Sequence, residues 1–300
     1  GCESHGDGQG QMKILLFGAG GLLGRHLSAH LPQGGHDVTA LTYADADITD
    51  QRKLDELFGQ PWDAVINAAA VCNFDACEQD PEATARVNRD APLDLARRCA
   101  ANGALFVQFS SDYVFDGKID RALAESDAPS PISIYGEQKA ILEREIPRLC
   151  PRSLVIRLSW LYGVGGKTFM SLLPDLLSRN KSLNVASGKT GCCLYAADAA
   201  VWIERLVVSD QTGLFNLVNQ GGTSWEEFAR LCASRMGFPE TAIVEVPYET
   251  LGPNWSKRPR YSCLDTAKLQ NTLPPGPRPW TEALDSFLTE WKSVAAPRLV

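Results

Sequence analysis

Hydrophobic residues in the first half of the chain come in short unbroken runs, each followed by a stretch in which apolar positions recur with helical spacing. Lys13-Ile14-Leu15-Leu16-Phe17 is the first run. A run without alternation predicts a strand buried on both faces, as in a parallel sheet. His36 to Leu41, Ala64 to Ala70, Ala104 to Phe109 and Ser153 to Leu158 read as further strands. Helical stretches separate them at Arg25 to Leu31, Gln51 to Phe58 and Pro81 to Ala101, the last closed by Asn102-Gly103, a usual helix stop. Strand and helix alternating over residues 12–160 predict an α/β protein with a Rossmann-type doubly wound parallel sheet. Beyond residue 160 the pattern loosens. Thr168 to Arg179 and Tyr195 to Val208 read as helices and Gly213 to Val218 as a strand. Ser224-Trp225-Glu226-Glu227 opens a further helix as a capping box, and Pro-rich Leu273 to Pro279 precedes a last one, Trp280 to Trp291. Residues 161–300 are therefore expected to form mainly a smaller α/β C-terminal substrate lobe, with elements near 190–220 returning to the sheet.

The junction between the first run and the first helix is Gly18-Ala19-Gly20-Gly21-Leu22-Leu23-Gly24. Glycines there let a backbone approach a pyrophosphate, and the helix N-terminus favours its charge. This turn predicts dinucleotide binding. The acid that holds the adenosine ribose in NAD-binding folds would fall at the end of the second strand. Thr42 and Tyr43 stand at that tip, with Asp45 the nearest acid. The missing carboxylate removes repulsion against a 2′-phosphate, so NADPH is the expected cofactor and NADH the alternative. Asp47, beside Ile48, is a candidate partner for the adenine amino group, and Asp50 an N-cap for the helix that follows. Asn67-Ala68-Ala69 ends the third run in small residues over which a cofactor can lie.

The fourth run delivers Ser110-Ser111-Asp112 at its carboxyl end, where open α/β sheets bind ligands. Further on, Tyr135 and Lys139 are four positions apart and share one helix face. A phenol titrates near 10, too high to exchange protons readily at neutral pH. The ammonium one turn away is expected to lower that value by favouring the phenolate. Ser111 is then placed to hold a substrate oxygen while Tyr135 exchanges its proton. A bare Tyr-x-x-x-Lys is equally an exposed pair on a helix, and the surroundings decide between the two.

Composition narrows the classes. The 300 residues carry 44% hydrophobic and 22% charged side chains, ordinary for a globular chain. A net charge of -7 without a basic stripe argues against nucleic acid, and no apolar run approaches the length of a membrane span. Gly1 to Gln11 reads as a disordered tail, not a signal peptide. The nine cysteines are odd in number, scattered and without Cys-x-x-Cys spacing. They predict neither a metal site nor a disulfide framework, and favour a reducing, cytoplasmic setting.

Together these residues resemble the extended short-chain dehydrogenase/reductase superfamily, and within it the dTDP-4-dehydrorhamnose reductase group, over most of residues 13–290. Gly18-x-x-Gly21-x-x-Gly24, Asp47-Ile48-Thr49-Asp50, Asn67-Ala68-Ala69 and Val87-Asn88 are similar to its cofactor-side motifs. Ser110-Ser111-Asp112-Tyr113-Val114-Phe115-Asp116-Gly117 resembles its Ser-Thr-Asp-Tyr-Val-Phe-Asp-Gly block, and Tyr135-Gly136-x-x-Lys139 its Tyr-Gly-x-x-Lys. The resemblance implies reduction of a nucleotide-linked 4-keto-6-deoxysugar. Ser111, Tyr135 and Lys139 would be catalytic, with Tyr135 and Lys139 also touching the cofactor. Arg157-Leu158-Ser159-Trp160 resembles the group's segment near the sugar, and Arg258 is a candidate for the nucleotide phosphates. Asp112, Val114, Trp160, Lys189 and Arg258 are the candidate substrate contacts. One stretch departs. Where the group carries Asp-Gln-x-Gly-x-Pro-Thr, this chain has Gly188-Lys189-Thr190-Gly191-Cys192-Cys193-Leu194. Lys189 there is either a phosphate contact or a solvated loop lysine. Two alternatives stay open beside reduction: an epimerase or dehydratase on the same fold, and a non-catalytic NADP-binding regulatory subunit. A homodimer is the candidate assembly.

Overall fold

The structure, a computed structural model, describes residues 10–251 and 257–295. Most of the expected tail, residues 1–9, lies outside them. Six parallel strands form the central sheet. β1 is Lys13–Phe17, β2 Asp37–Leu41, β3 Ala64–Asn67, β4 Leu105–Ser111 and β5 Ser153–Leu158. Across the sheet the order is Gly213–Leu217, β5, β4, β3, β1, β2. The chain runs outward from β1 to β2 and then returns to β3 on the other side of β1. The reversal leaves a crevice at the carboxyl ends of β1 and β3, where Phe17 pairs with Asn67.

The period of two along each strand explains why both faces are covered. Ile14 and Leu16 of β1 join Leu105, Val107, Leu154 and Ile156 against Leu23, Leu27, Ile203 and Leu206. Leu15 and Phe17 point the other way, with Phe106 and Val155, against Leu54, Leu95, Cys99, Leu142 and Ile146. Helices Leu22–His30 and Ala196–Val208 cover the first face. Helices Gln51–Leu57, Ala91–Asn102 and Ile134–Leu149 cover the second. The mixed α/β architecture with its doubly wound parallel sheet agrees with the expectation from the sequence.

A separate cluster fills the later part of the chain. Tyr162, Met170, Leu173, Phe228, Cys232, Trp280, Leu284 and Phe287 pack together there, under a parallel strand pair that joins Leu183–Ser187 to Ile243–Pro247. A small sheet of Thr223–Ser224, Thr190–Gly191 and Tyr261–Ser262 stands near the carboxyl end of the main sheet.

Three expected elements differ. The run Ala64 to Ala70 stops being strand at Asn67, because the Asn67 side chain accepts the Ala69 N–H at 3.1 Å and bends the backbone away. The stretch Pro81 to Ala101 is broken by a π-helical turn at Arg86–Asp90 between the helices Pro81–Ala85 and Ala91–Asn102. The fourth strand continues past Phe109 to Ser111. Among the described residues, no helix is long and apolar enough to cross a membrane, and no cluster of acidic, His and Cys side chains is arranged to hold a metal.

Candidate active site

The glycine turn is built by close approach. Gly18 sits at φ +78°, and a Cβ on it would lie 2.5 Å from both the Ala68 carbonyl carbon and the Ala69 nitrogen. Gly24 meets the backbone of Gly18 so closely that a Cβ there would strike its carbonyl oxygen. Only glycine fits either place. Gly21 caps Leu22–His30, Gly20 stays open to solvent, and Arg25 donates to the Gly20 carbonyl at 2.8 Å. Exposed backbone at a helix N-terminus, with no side chain over it, is a cradle for a pyrophosphate.

Around this turn the expected cofactor residues are held locally. Thr42 gives both its N–H and its hydroxyl to Asp45, at 2.9 and 2.6 Å. Those bonds hold the Asp45 carboxyl below its ordinary value. Asp47 accepts from the Thr49 N–H and hydroxyl, Asp50 caps the next helix, and Ile48 is buried. Asn67 donates to Gln108 at 2.8 Å, which leaves Ala68 and Ala69 lying over Gly18. Asn88, in the π-helical turn, clamps the Val71 N–H and C=O and donates to Gln138 at 3.0 Å. Gln138 precedes Lys139, so Asn88 ties the loop after β3 to the helix that carries it.

Ser111, Tyr135 and Lys139 converge at the carboxyl end of β4. Ser133 caps the helix Ile134–Leu149 by accepting the Gly136 N–H, which puts Tyr135 in the first turn. The same helix is locked to the sheet by Glu143. It accepts Ser110 Oγ at 2.5 Å and Arg157 Nε and Nη2 at 2.8 and 2.7 Å, with both members of the ion pair buried. Lys139 is 2% exposed and donates to the Phe109 carbonyl at 3.0 Å, its ammonium 5.6 Å from the centre of the Tyr135 ring. Burial pushes this lysine down.

The Tyr135 phenol corrects the expectation. Burial, reinforced by Cys72 and Asp112, drives the Tyr135 phenol well up rather than down. Loss of water outweighs the ammonium behind the ring. The Ser111 hydroxyl is turned to Asp112, donating to Oδ1 at 3.0 Å and accepting the Tyr113 N–H at 3.2 Å. Asp112 is itself buried and also accepts Ser262 Oγ at 2.6 Å.

The candidate substrate contacts divide. Val114 is fully buried with Phe115 and Leu123, so its side chain is packing. Trp160 follows β5 with φ +36°, a left-handed conformation that bulky residues avoid. Lys189 has no exposed surface, which corrects the reading of it as a solvated loop lysine. The Arg258 guanidinium lies 4.5 Å from the centre of the Phe74 ring. Sequence reasoning missed Tyr113, whose ring stands edge-on to Tyr135 at 5.9 Å. It also missed Trp225, edge-on to Trp160 at 5.9 Å. Tyr113 was legible inside the Ser-Ser-Asp-Tyr block, but nothing in the Ser224-Trp225 capping box marks its indole as a neighbour of the site.

Comparison with known proteins agrees with this geometry. The family described as RmlD substrate binding domain matches residues 12–293. The chain is 37% identical to the spore coat polysaccharide biosynthesis protein SpsK of Bacillus subtilis, over 94% of this chain and 98% of that one. It is 32% identical to a dTDP-4-dehydrorhamnose reductase of Streptomyces griseus, over 91% and 92% of the two chains. Among solved structures, dTDP-4-dehydrorhamnose reductase of Bacillus anthracis in complex with NADP superposes with a TM-score of 0.89. The match is at 27% identity and covers 94% of this chain and all (100%) of that one.

Proposed function

The chain belongs to the RmlD substrate-binding-domain family, and from that premise we propose that it is an NAD(P)H-dependent reductase of a nucleotide-linked 4-keto-6-deoxysugar. NADPH is the preferred cofactor and NADH the alternative. The observation that carries the reading is the convergence of Ser111, Tyr135 and Lys139 at the carboxyl edge of the sheet, alongside a glycine turn with no room for a Cβ at Gly18 or Gly24.

The cradle fits a dinucleotide: exposed Gly20 and the N-terminus of the helix Leu22–His30, which no side chain caps, suit a pyrophosphate, and Ala68 and Ala69 lie at the strand end above Gly18. When bound, the reduced nicotinamide supplies the hydride that reduces the ketone carbon. The chain's own part is positioning and proton delivery. A phenol pushed up by burial stays protonated at neutral pH, which is the form a reduction needs. Tyr135 gives that proton to the carbonyl oxygen as negative charge develops on it. The Lys139 ammonium, fixed by the Phe109 carbonyl, stabilises the phenolate left behind. The Ser111 hydroxyl leaves Asp112 to donate to the same oxygen, and Asp112 keeps Ser262 as its second partner.

The test is NADPH oxidation, followed by fluorescence, against dTDP-, GDP-, UDP- and CDP-linked 4-keto sugars. Net, stoichiometric NADPH consumption with one of them is the expected result. Product formed without net consumption indicates epimerisation or dehydration, and binding without turnover on any of them indicates a regulatory subunit. Two finer points complete the proposal. The free state of the eight described cysteines supports a reducing, cytoplasmic setting, and a homodimer is the proposed assembly, to be read by sedimentation.

A further inference from the structure

Lys189 carries a buried charge that the mechanism above does not use. Its ammonium lies 5.0 Å from the centre of the Tyr113 ring, 5.6 Å from Trp225 and 5.7 Å from Trp160. Its hydrogen bond is a long one, 3.5 Å to the Tyr113 hydroxyl. Three ring faces partly replace the water this cation has lost. They do not replace all of it: burial, opposed by Asp112 and helped by Arg258, pushes Lys189 down to about 8. An ammonium held this way destabilises the fold relative to a hydrocarbon side chain of the same length. Arrangements that cost stability concentrate at functional sites.

One of these rings stands beside the reacting group, and the other two meet each other. Tyr113 is edge-on to Tyr135, and Trp225 is edge-on to Trp160. Trp160 holds its strained backbone with an indole N–H that is buried and has no partner among the described residues. Gly191 makes room for that indole, since a Cβ there would sit 2.6 Å from the six-membered ring. The segment that departs from the family pattern thus grips Trp160 twice, by the charge of Lys189 and by the missing side chain of Gly191.

We propose that Lys189 is a positioning residue whose buried ammonium gathers Tyr113, Trp160 and Trp225 into one wall of the sugar site. The wall presents ring faces and edges, which suit the C–H face and methyl group of a deoxysugar. Sugar affinity then depends on a charge the sugar does not touch. This rests on the reading that this edge of the sheet takes a nucleotide-linked sugar.

The test uses Lys189→Met and Lys189→Arg in the full chain. Lys189→Met is expected to keep its NADPH affinity, to raise Tm at pH 7 because the buried charge is gone, and to keep kcat within about 3-fold. Its KM for the sugar nucleotide rises about 10-fold or more, and Lys189→Arg recovers part of that loss. A second readout needs no substrate. Asp112, Arg258 and Tyr113 face the ammonium, Glu226 accepts the neighbouring Gly188 N–H, and Tyr113 is pushed up to about 12. Wild-type tryptophan fluorescence is therefore expected to titrate between pH 7 and 9.5 as Lys189 loses its proton, with the step absent from Lys189→Met. An unchanged KM in Lys189→Met, or equal fluorescence titrations, overturns the proposal. So does a Lys189→Met that does not fold beside a Lys189→Arg of normal KM, which makes the lysine a packing residue. If the wild-type chain reduces no 4-keto sugar nucleotide, the proposed activity falls while the fluorescence pair still decides the cage.

Discussion

The site contains two tyrosine–lysine pairs, Tyr135 with Lys139 and Tyr113 with Lys189, whose phenol rings meet edge-on at 5.9 Å. Both lysines are buried and both are pushed down by burial. They differ in what replaces the lost water. Lys139 has a carbonyl at 3.0 Å, while Lys189 has three rings and a phenol at 3.5 Å. A short directed bond aims a charge at one place, whereas ring faces attract it over a broad surface. The first arrangement suits a group that must meet a reacting atom. The second suits a group that shapes a wall.

The largest effect that separates the pairs is expected from Tyr135→Phe. Turnover falls on the order of 10²–10⁴-fold while NADPH affinity stays within about 2-fold. Lost cofactor binding in that variant would show that the phenol holds the dinucleotide rather than the proton. Next comes Arg157→Met, which leaves Glu143 as an uncompensated buried charge beneath the helix of Tyr135 and Lys139. It should cost about 3–5 kcal/mol in urea unfolding. An effect under about 1 kcal/mol would mean that the helix is held by packing alone.

A smaller effect concerns pH. Lys189 titrates at about 8 in the fold against an ordinary 10.5. Between those values the unfolded chain binds the proton that the folded chain has released, so stability rises with pH across that window. Wild type should therefore gain roughly 1–2 kcal/mol on Lys189→Met between pH 8 and 10. Parallel curves would show a lysine that is not desolvated. The smallest effect is that of Tyr113→Phe, which removes the hydroxyl from Lys189 but keeps the ring. KM for the sugar is expected to rise about 2–5-fold with kcat little changed. A kcat loss near that of Tyr135→Phe would move Tyr113 into the proton path and dissolve the distinction between the pairs.

What could be read from the sequence was what short range determines. Short apolar-rich stretches marked the five strands of the first half, and a helical period marked the faces that cover them, because periods of 2 and 3.6 depend on neighbours along the chain. The glycine turn was legible because its glycines directly follow a buried strand. Tyr135 and Lys139 were legible because four positions make one helical turn. The tertiary structure alone decided the rest. Lys189 meets Tyr113 across 76 positions, and Ser262 meets Asp112 across 150. Neither spacing has a local signature. The direction of the Tyr135 shift was equally out of reach, since a four-residue spacing sets how near a charge lies but not how much water the fold removes. Proximity along a helix is written in the sequence, whereas solvation belongs to the assembled chain.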